Sequence, residues 1–446
     1  MSFNKKRVAF YTLGCKVNQY ETESLKNKLI KMGYEEVPFE ESADFYVVNS
    51  CTVTSVADRK TRNILRRAKK ANENSKVIVT GCYAQTNAKE LLEIDEVDFV
   101  VGNKNKTGVI DLIENIERKP SSHIVFDKEN QETEVGDIFK EDEYREMEFS
   151  TFREMSRAYI KIQDGCNNFC SYCKIPFGRG KSRSRKLENI IEEAEKLAKE
   201  GFKEIILIGI NLGAYGEDFQ EKKTFEDLLE AVVKVEGITR IRIGSMYPDK
   251  INERFVNIMK NNKKIMPHLH ISLQSCNDEV LKGMRRKYGT ELIKDRLSIL
   301  RENVPNMEYT ADVIVGFPGE TEEMYESSKE LIKELEFSTL HVFPYSEREN
   351  TLAATFKDKV PPAERKRRAG DLEKSERESV LKVREKYIGK TLNVLIEEKK
   401  GNGYFGYSEN YLRVKVLSDN LNVNDEVSVR ITGLEKELLI GEDESK

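Results

Sequence analysis

Hydrophobic positions along the chain cluster in short β-branched runs separated by longer amphipathic stretches. In the first hundred residues the runs are RVAFYT (7–12), FYVVN (45–49), KVIVT (76–80) and VDFVV (97–101). Continuous apolar strands spaced by helical patterns predict a parallel sheet covered on both faces. The pattern resumes after residue 150, with strands predicted at 158–163, 204–210, 239–244, 268–273, 310–316 and 339–344. Between them lie amphipathic segments such as LENIIEEAEKLAKE (187–200). Six βα units in succession predict a parallel barrel or partial barrel, with its site in the loops at the carboxyl ends of the strands. From residue 380 the period changes to two, in LNVLIEE, YLRVKVL and EVSVRIT, with Gly, Asn and Asp turns between them. That alternation predicts a small antiparallel β domain. The expected fold class is therefore α/β: an N-terminal sheet domain over 5–118, a core over 152–378 and a β domain over 380–446.

Composition narrows the function classes. The 446 residues carry 74 Lys+Arg against 78 Asp+Glu, a net charge of −4, so any nucleic-acid surface must be a local patch. No apolar run approaches the ~20 residues of a membrane helix, and the N-terminus lacks a signal-peptide pattern. A cytoplasmic protein with no membrane partner is expected. In a reducing compartment seven cysteines are not structural disulfides, so they are buried small hydrophobes or ligands. Residues 127–148 hold ten acids against three bases and read as a solvated linker or excursion without assigned function.

The positions of the cysteines separate the two options. Cys15 (TLGC), Cys51 (NSC) and Cys82 (TGC) each fall just past the carboxyl end of a predicted strand of one sheet. That edge is where open α/β sheets bind ligands, so three thiols can converge there. The alternative is three unrelated buried cysteines, which would more naturally fall inside the strands. Cys166, Cys170 and Cys173 form GCNNFCSYC, a C-x3-C-x2-C triplet after strand 158–163. Three thiolates this close can grip one iron–sulfur cluster and leave one iron open. Zinc needs a fourth ligand, and none of His123, His268, His270 and His341 lies near the triplet in sequence. Cys276, alone in LQSCND, reads as a buried filler. RGKS (179–182) and IGKT (388–391) lack the first glycine of a phosphate loop, no GxGxxG follows the first strand, and no Ser-His-Asp set can be assembled.

A C-x3-C-x2-C triplet after a strand that opens a βα barrel resembles the radical S-adenosylmethionine (SAM) enzymes. With a three-cysteine α/β domain before it and a small β domain after it, nearly the whole chain is similar to the methylthiotransferases of that superfamily. Their order is an N-terminal cluster domain, a radical SAM partial (βα)6 barrel and a TRAM RNA-binding barrel. The matching segments are LGCKVNQYE (13–21), NSCTVTSVADRKTR (49–62), TGCYAQ (80–85), DGCNNFCSYCKIP (164–176) and GRGKSRSR (178–185). Lys16, Val17, Thr52, Val53 and Thr54 side with the branch acting on threonylcarbamoyladenosine in tRNA. The siblings acting on isopentenyladenosine tend to read GCQMN and NTCAVRE, and those acting on a ribosomal protein GCPKN and NTCGF. Two departures stand out: the family usually has Gly where Cys276 stands, and YSxRxGT where YSERENT (345–351) puts Asn350.

The resemblance implies two [4Fe–4S] clusters, one on Cys166, Cys170 and Cys173 and one on Cys15, Cys51 and Cys82. It implies that SAM, bound at the first, yields the radical that removes the C2 hydrogen of an adenine, while the second presents sulfur. No side-chain acid or base is expected to carry the chemistry. The implied substrate is tRNA, at adenosine 37 of the anticodon stem-loop, with an external electron donor and sulfur source. The alternatives are isopentenyladenosine-37 tRNA or a ribosomal protein side chain. Around SAM the candidates are Tyr172, Asn211, Gln274 and Asp312. Arg179, Arg183 and Arg185, directly after the cluster loop, are candidates for phosphate contacts near the target base. The run RKTRNILRRAKK (59–70) is either an RNA surface or a solvated helix face, and ERKRR (364–368) reads as a solvated face. In the terminal domain Tyr404, Phe405, Tyr407 and Tyr411 are candidate stacking surfaces.

Overall fold

The computed structural model describes residues 5–118, 126–127, 135–147, 156–401, 403–418 and 420–444. The chain forms two compact units. One comprises residues 1–152, 163–185 and 346–354, and the other 153–162, 186–345 and 355–446. The C-x3-C-x2-C loop thus belongs to the unit that carries the N-terminal sheet.

The first unit runs β1 (Arg7–Thr12), α1 (Lys16–Lys31), β2 (Glu35–Glu36), β3 (Phe45–Ser50), α2 (Ser55–Ala71), β4 (Lys76–Gly81), α3 (Cys82–Thr86), α4 (Ala88–Leu92), β5 (Phe99–Val101), α5 (Gly108–Arg118) and β6 (Phe126–Asp127). In space the strands lie in the order β2-β1-β3-β4-β5-β6. The pairs are parallel except the last, where β6 runs antiparallel to β5. Tyr46, Val48, Val77 and Val79 enter one core cluster, and Phe45, Val47 and Ile78 the other. Alternate side chains are buried on opposite faces, which is why these strands read as unbroken apolar runs. The side chain of Thr54 accepts a hydrogen bond from the Ala57 N–H and caps α2. That helix buries Ile64, Leu65 and Ala68 and exposes Arg59, Lys60, Arg66 and Lys70.

Two sequence expectations are corrected here. The described part of the acidic stretch, 135–147, is no free linker. Ile138 is buried, Phe139 stacks against Phe169 at 6.2 Å, and Asp142 and Glu146 pair with Lys181 and Arg185 at 2.7 Å each. The excess acid of one run meets the excess base of another. ERKRR, likewise, is not wholly a solvated face: Arg368 is buried and held by Glu320 (2.8 Å), Glu322 (3.0 Å) and Glu364 (3.0 Å).

The second unit carries a parallel (βα)6 partial barrel. Strands Arg157–Lys161, Glu204–Ile208 and Arg240–Ile243 form one sheet. Ser245–Met246, His268–Gln274, Glu308–Val315 and Thr339–Pro344 form the next, and an isolated Ile241–Ile265 bridge ties the first sheet to the segment just before His268. The third strand is therefore interrupted at Gly244 rather than continuous over 239–244. The chain ends in a closed five-stranded barrel, Thr391–Lys400, Gly403–Ser408, Arg413–Leu417, Glu426–Glu435 and Leu438–Asp443. It is not purely antiparallel, because Arg413–Leu417 and Leu438–Asp443 pair in parallel.

This small barrel is docked on the amino-terminal ends of the core strands. Glu204 receives Arg240 Nε and Arg242 Nε at 2.7 Å each. Arg240 continues to Glu426 (3.1 Å), and Arg242 donates to the Ser408 (2.7 Å) and Glu409 (2.9 Å) carbonyls. Tyr411 is sandwiched between His268 and Tyr407, with ring centroids 4.6 Å away on each side. Tyr407 and Tyr411 are thus engaged in docking, and Tyr404 is buried, which removes three of the four expected RNA-stacking rings. Among the described residues no helix is long and apolar enough to cross a membrane.

Candidate functional site

Cys51 follows β3 directly, Cys82 opens α3 directly after β4, and Cys15 lies three residues past β1. Because β1, β3 and β4 are neighbours, the three sulfurs meet at one sheet edge. A Cβ built on Gly14 would lie 2.9 Å from Cys51 Sγ, so only glycine lets the Cys15 loop approach. Burial first, and then the neighbouring Cys82 and Cys15 sulfurs, push the Cys51 thiol up to about 12, with Arg179 opposing. A crowded thiol of that kind stays protonated alone and ionises on binding a cation.

The second triplet sits on a tight loop between the short paired strands Gln163–Asp164 and Arg183–Ser184. The loop is pinned where Cys166 N–H donates to the Gly180 carbonyl (3.0 Å) and Cys173 N–H to the Cys170 carbonyl (2.9 Å). Gly165, at φ +74°, comes so close to Lys181 that an added Cβ would lie 1.8 Å from its carbonyl oxygen. Cys166 and Cys170 are buried and Cys173 is half-buried. The helix that follows, Ile175–Arg179, packs against α3. Asn103 Nδ2 donates to the Gly178 carbonyl (2.6 Å) and lies 3.4 Å from Cys82 Sγ. Both triplets therefore sit in one compact unit, and each is a set of three sulfur donors with no fourth cysteine. Such a set fits a four-iron cluster with one open iron.

Between them runs a buried charge network that the sequence did not disclose. Arg179 donates to Glu21 (2.9 Å), Asp164 (2.8 Å) and Asn18 Oδ1 (2.5 Å), and Lys106 pairs with Glu21. Its cations offset thiolate charge at the sheet edge. This corrects the expected role of the arginines. Arg179 is 1% exposed and Arg183 and Arg185 are each 5% exposed. Arg183 donates to the Arg179 carbonyl (2.8 Å) and Arg185 to Glu146 (2.7 Å). Guanidiniums already desolvated and paired with carboxylates are not available to phosphates. Arg348, also missed, donates to Thr52 Oγ1 (2.7 Å) and Asp58 (2.5 Å) beside Cys51. The signal for it was the YSERENT segment. Asn350 in that segment has φ +64°, a conformation Asn tolerates in place of the expected glycine.

Of the residues considered for SAM, Tyr172 is half-buried in the first unit beside Cys173. The others belong to the second unit. Asn211 is buried before the turn Leu212–Ala214, Gln274 ends its strand at φ +68°, and Asp312 lies mid-strand facing His270. Cys276 is buried and belongs to the second unit, with its N–H donated to Ser328 Oγ (2.9 Å).

Residues 7–102 match the model of an uncharacterized protein family, UPF0004, and residues 160–332 that of the radical SAM superfamily. The threonylcarbamoyladenosine tRNA methylthiotransferase MtaB of Bacillus subtilis (strain 168) is 40% identical over 431 residues, covering 95% of this chain and 93% of that protein. This chain belongs to the radical SAM methylthiotransferases. A tRNA-2-methylthio-N(6)-dimethylallyladenosine synthase of Clostridium botulinum (strain Loch Maree / Type A3) is 33% identical, over 97% of this chain and 96% of that one. The fold is shared with TsrM from Kitasatospora setae, a radical SAM methyltransferase solved with cobalamin and a [4Fe-4S] cluster bound. That likeness has a TM-score of 0.58 at 15% identity and covers 76% of this chain and 75% of that one. As a radical SAM methylthiotransferase, the enzyme uses [4Fe–4S] clusters and SAM.

Proposed function

We propose that this methylthiotransferase replaces the C2 hydrogen of N6-threonylcarbamoyladenosine at position 37 of tRNA with a methylthio group. The observation that carries the reading is the 40% identity to a relative named for that substrate, against 33% to one named for the dimethylallyl substrate, at similar coverage. Cys166, Cys170 and Cys173 hold the SAM-binding cluster, and Cys15, Cys51 and Cys82 hold the second. When bound, the clusters and SAM supply the one-electron chemistry and the sulfur that an unactivated C–H bond requires. An external electron donor and a sulfur source complete the reaction.

The chain's own residues position and shield. The Glu21–Arg179–Asp164 network fixes the helix after the cysteine loop against the sheet edge. Tyr172, beside Cys173, is the residue we assign to SAM. For tRNA phosphates the exposed face of α2 replaces the buried arginines, because Arg59, Lys60 and Lys70 are exposed and have no ion-pair partner among the described residues.

Nucleoside mass spectrometry of tRNA from cells lacking the protein tests the substrate. Loss of the 2-methylthio derivative of threonylcarbamoyladenosine, with its unmodified precursor accumulating, is expected. Loss of the methylthiolated isopentenyladenosine instead would overturn the reading.

A further inference from the structure

The second unit holds a cluster of metal-ligating side chains that neither triplet uses. His270, Asp312 and His341 stand on three neighbouring parallel strands. Asp312 is paired in register with His341, and His270 with Thr310, two residues before Asp312. Side chains alternate along a strand, so the three share one face. It is the face opposite Tyr309, whose hydroxyl is donated to Leu297 on the covering helix Thr290–Asn303.

Their geometry is that of a donor set. His270 Nε2 is 3.2 Å from Asp312 Oδ2, the two imidazole centroids are 5.9 Å apart, and one ligand atom from each residue lies within 4.8 Å of the others. The second nitrogen of His270 is also held. Nδ1 is 2.8 Å from Thr310 Oγ1, and the same hydroxyl lies 3.1 Å from Nε2 of the buried His268. That contact fixes the ring plane and turns Nε2 toward Asp312, as an outer-shell partner does for a metal-bound histidine. His268 is in turn clamped by Tyr411 of the terminal barrel, so the arrangement is rigid from below. Above, it is open: the Asp312 side chain is 35% exposed, and His341 is exposed.

We propose that His270, Asp312 and His341 bind one first-row divalent cation through two imidazoles and one carboxylate. Three protein ligands leave a coordination position to water or to a substrate oxygen or nitrogen. The assignment takes Asp312 out of the set expected to contact SAM. It is independent of which nucleoside the enzyme modifies.

The test uses the holoenzyme, its six cluster cysteines already loaded with iron. It is incubated with one equivalent of Zn2+, passed over a chelating resin and assayed for zinc and iron. Wild type should retain about one zinc per chain, with a nitrogen/oxygen shell at ~2.0–2.1 Å and no sulfur shell at ~2.3 Å in zinc X-ray absorption. His341→Ala and Asp312→Asn should weaken zinc retention about tenfold or more, since loss of outer-shell partners alone costs that much. Both variants should keep their iron, which reports that they fold. Zinc absent from wild type, zinc retained by both variants, or a sulfur shell that places it on cysteine would each overturn the proposal.

Discussion

At the residue scale, buried groups without full compensation set how the molecule responds to its surroundings. Glu308 opens a core strand and accepts the Tyr387 hydroxyl at 2.6 Å. Burial dominates and raises its carboxyl to about 7, although Tyr387, Arg301 and Lys386 act in the other direction. Between the ordinary glutamate range and pH 7 the folded chain therefore holds a proton that the unfolded chain has released. Stability falls as pH rises through that window, by on the order of 3 kcal/mol from this group. Glu308→Gln keeps the acceptor for Tyr387 and removes the titration. Its thermal midpoint should equal or trail that of wild type at pH 5 and exceed it at pH 8. Equal pH profiles for the two proteins would show that Glu308 is not the titrating group.

At the element scale, the terminal barrel is held by charge. Three guanidiniums, from Arg157, Arg240 and Arg242, surround Glu204 at the base of the core. Burial alone would raise this carboxyl, but Arg242, Arg240 and Arg157 together lower it to about 2. Its contribution is present at neutral pH and is lost as pH falls from the ordinary glutamate range toward 2. Glu204→Ala removes the carboxylate that Arg157, Arg240 and Arg242 share, leaves the buried Arg242 with carbonyl partners only, and should cost about 3–5 kcal/mol at pH 7. Because Arg240 and Arg242 also reach Glu426 and the 408–409 carbonyls, limited proteolysis should release the terminal barrel early in this variant. A wild-type digestion pattern would count against the barrel being docked through this cluster. Deleting residues 380–446, for the same reason, strips the base of the core and is not a clean probe of tRNA binding.

At the scale of the whole molecule, the decisive arrangement is that both cysteine triplets lie in one compact unit. Each provides three donors without borrowing from the other. The reconstituted chain should hold about eight irons, and alanine at either complete triplet should remove about half of them. Cys276→Ala should leave the content unchanged. If either triple variant loses all its iron, the Glu21–Arg179 network makes the two sites interdependent and the independent-site assignment is wrong. Full iron content in a triple variant would instead show that its cysteines are not ligands.

Local pattern carried much of this. Strand positions such as Phe45–Ser50 and Glu204–Ile208 follow from apolar runs, because burial on both faces demands them whatever the surroundings. The strand-end placement of Cys15, Cys51 and Cys82 was legible for a similar reason: their distance from a strand end is a property of the chain's own order. What tertiary structure alone decided was the fate of the charges. GRGKSRSR reads as a free basic run, yet Arg179, Arg183 and Arg185 are buried, because Glu21, Asp164 and Glu146 arrive from elsewhere in the chain to neutralise them. The tyrosines of the terminal barrel carry no mark of their docking role, since His268 and Arg242 approach from strands more than a hundred and forty residues earlier. His270, Asp312 and His341 are likewise scattered in sequence and become a donor set only through strand register. Apolar burial has a period that one segment displays by itself. A charge or a ligand is defined by its partner, and the partner's position belongs to the fold.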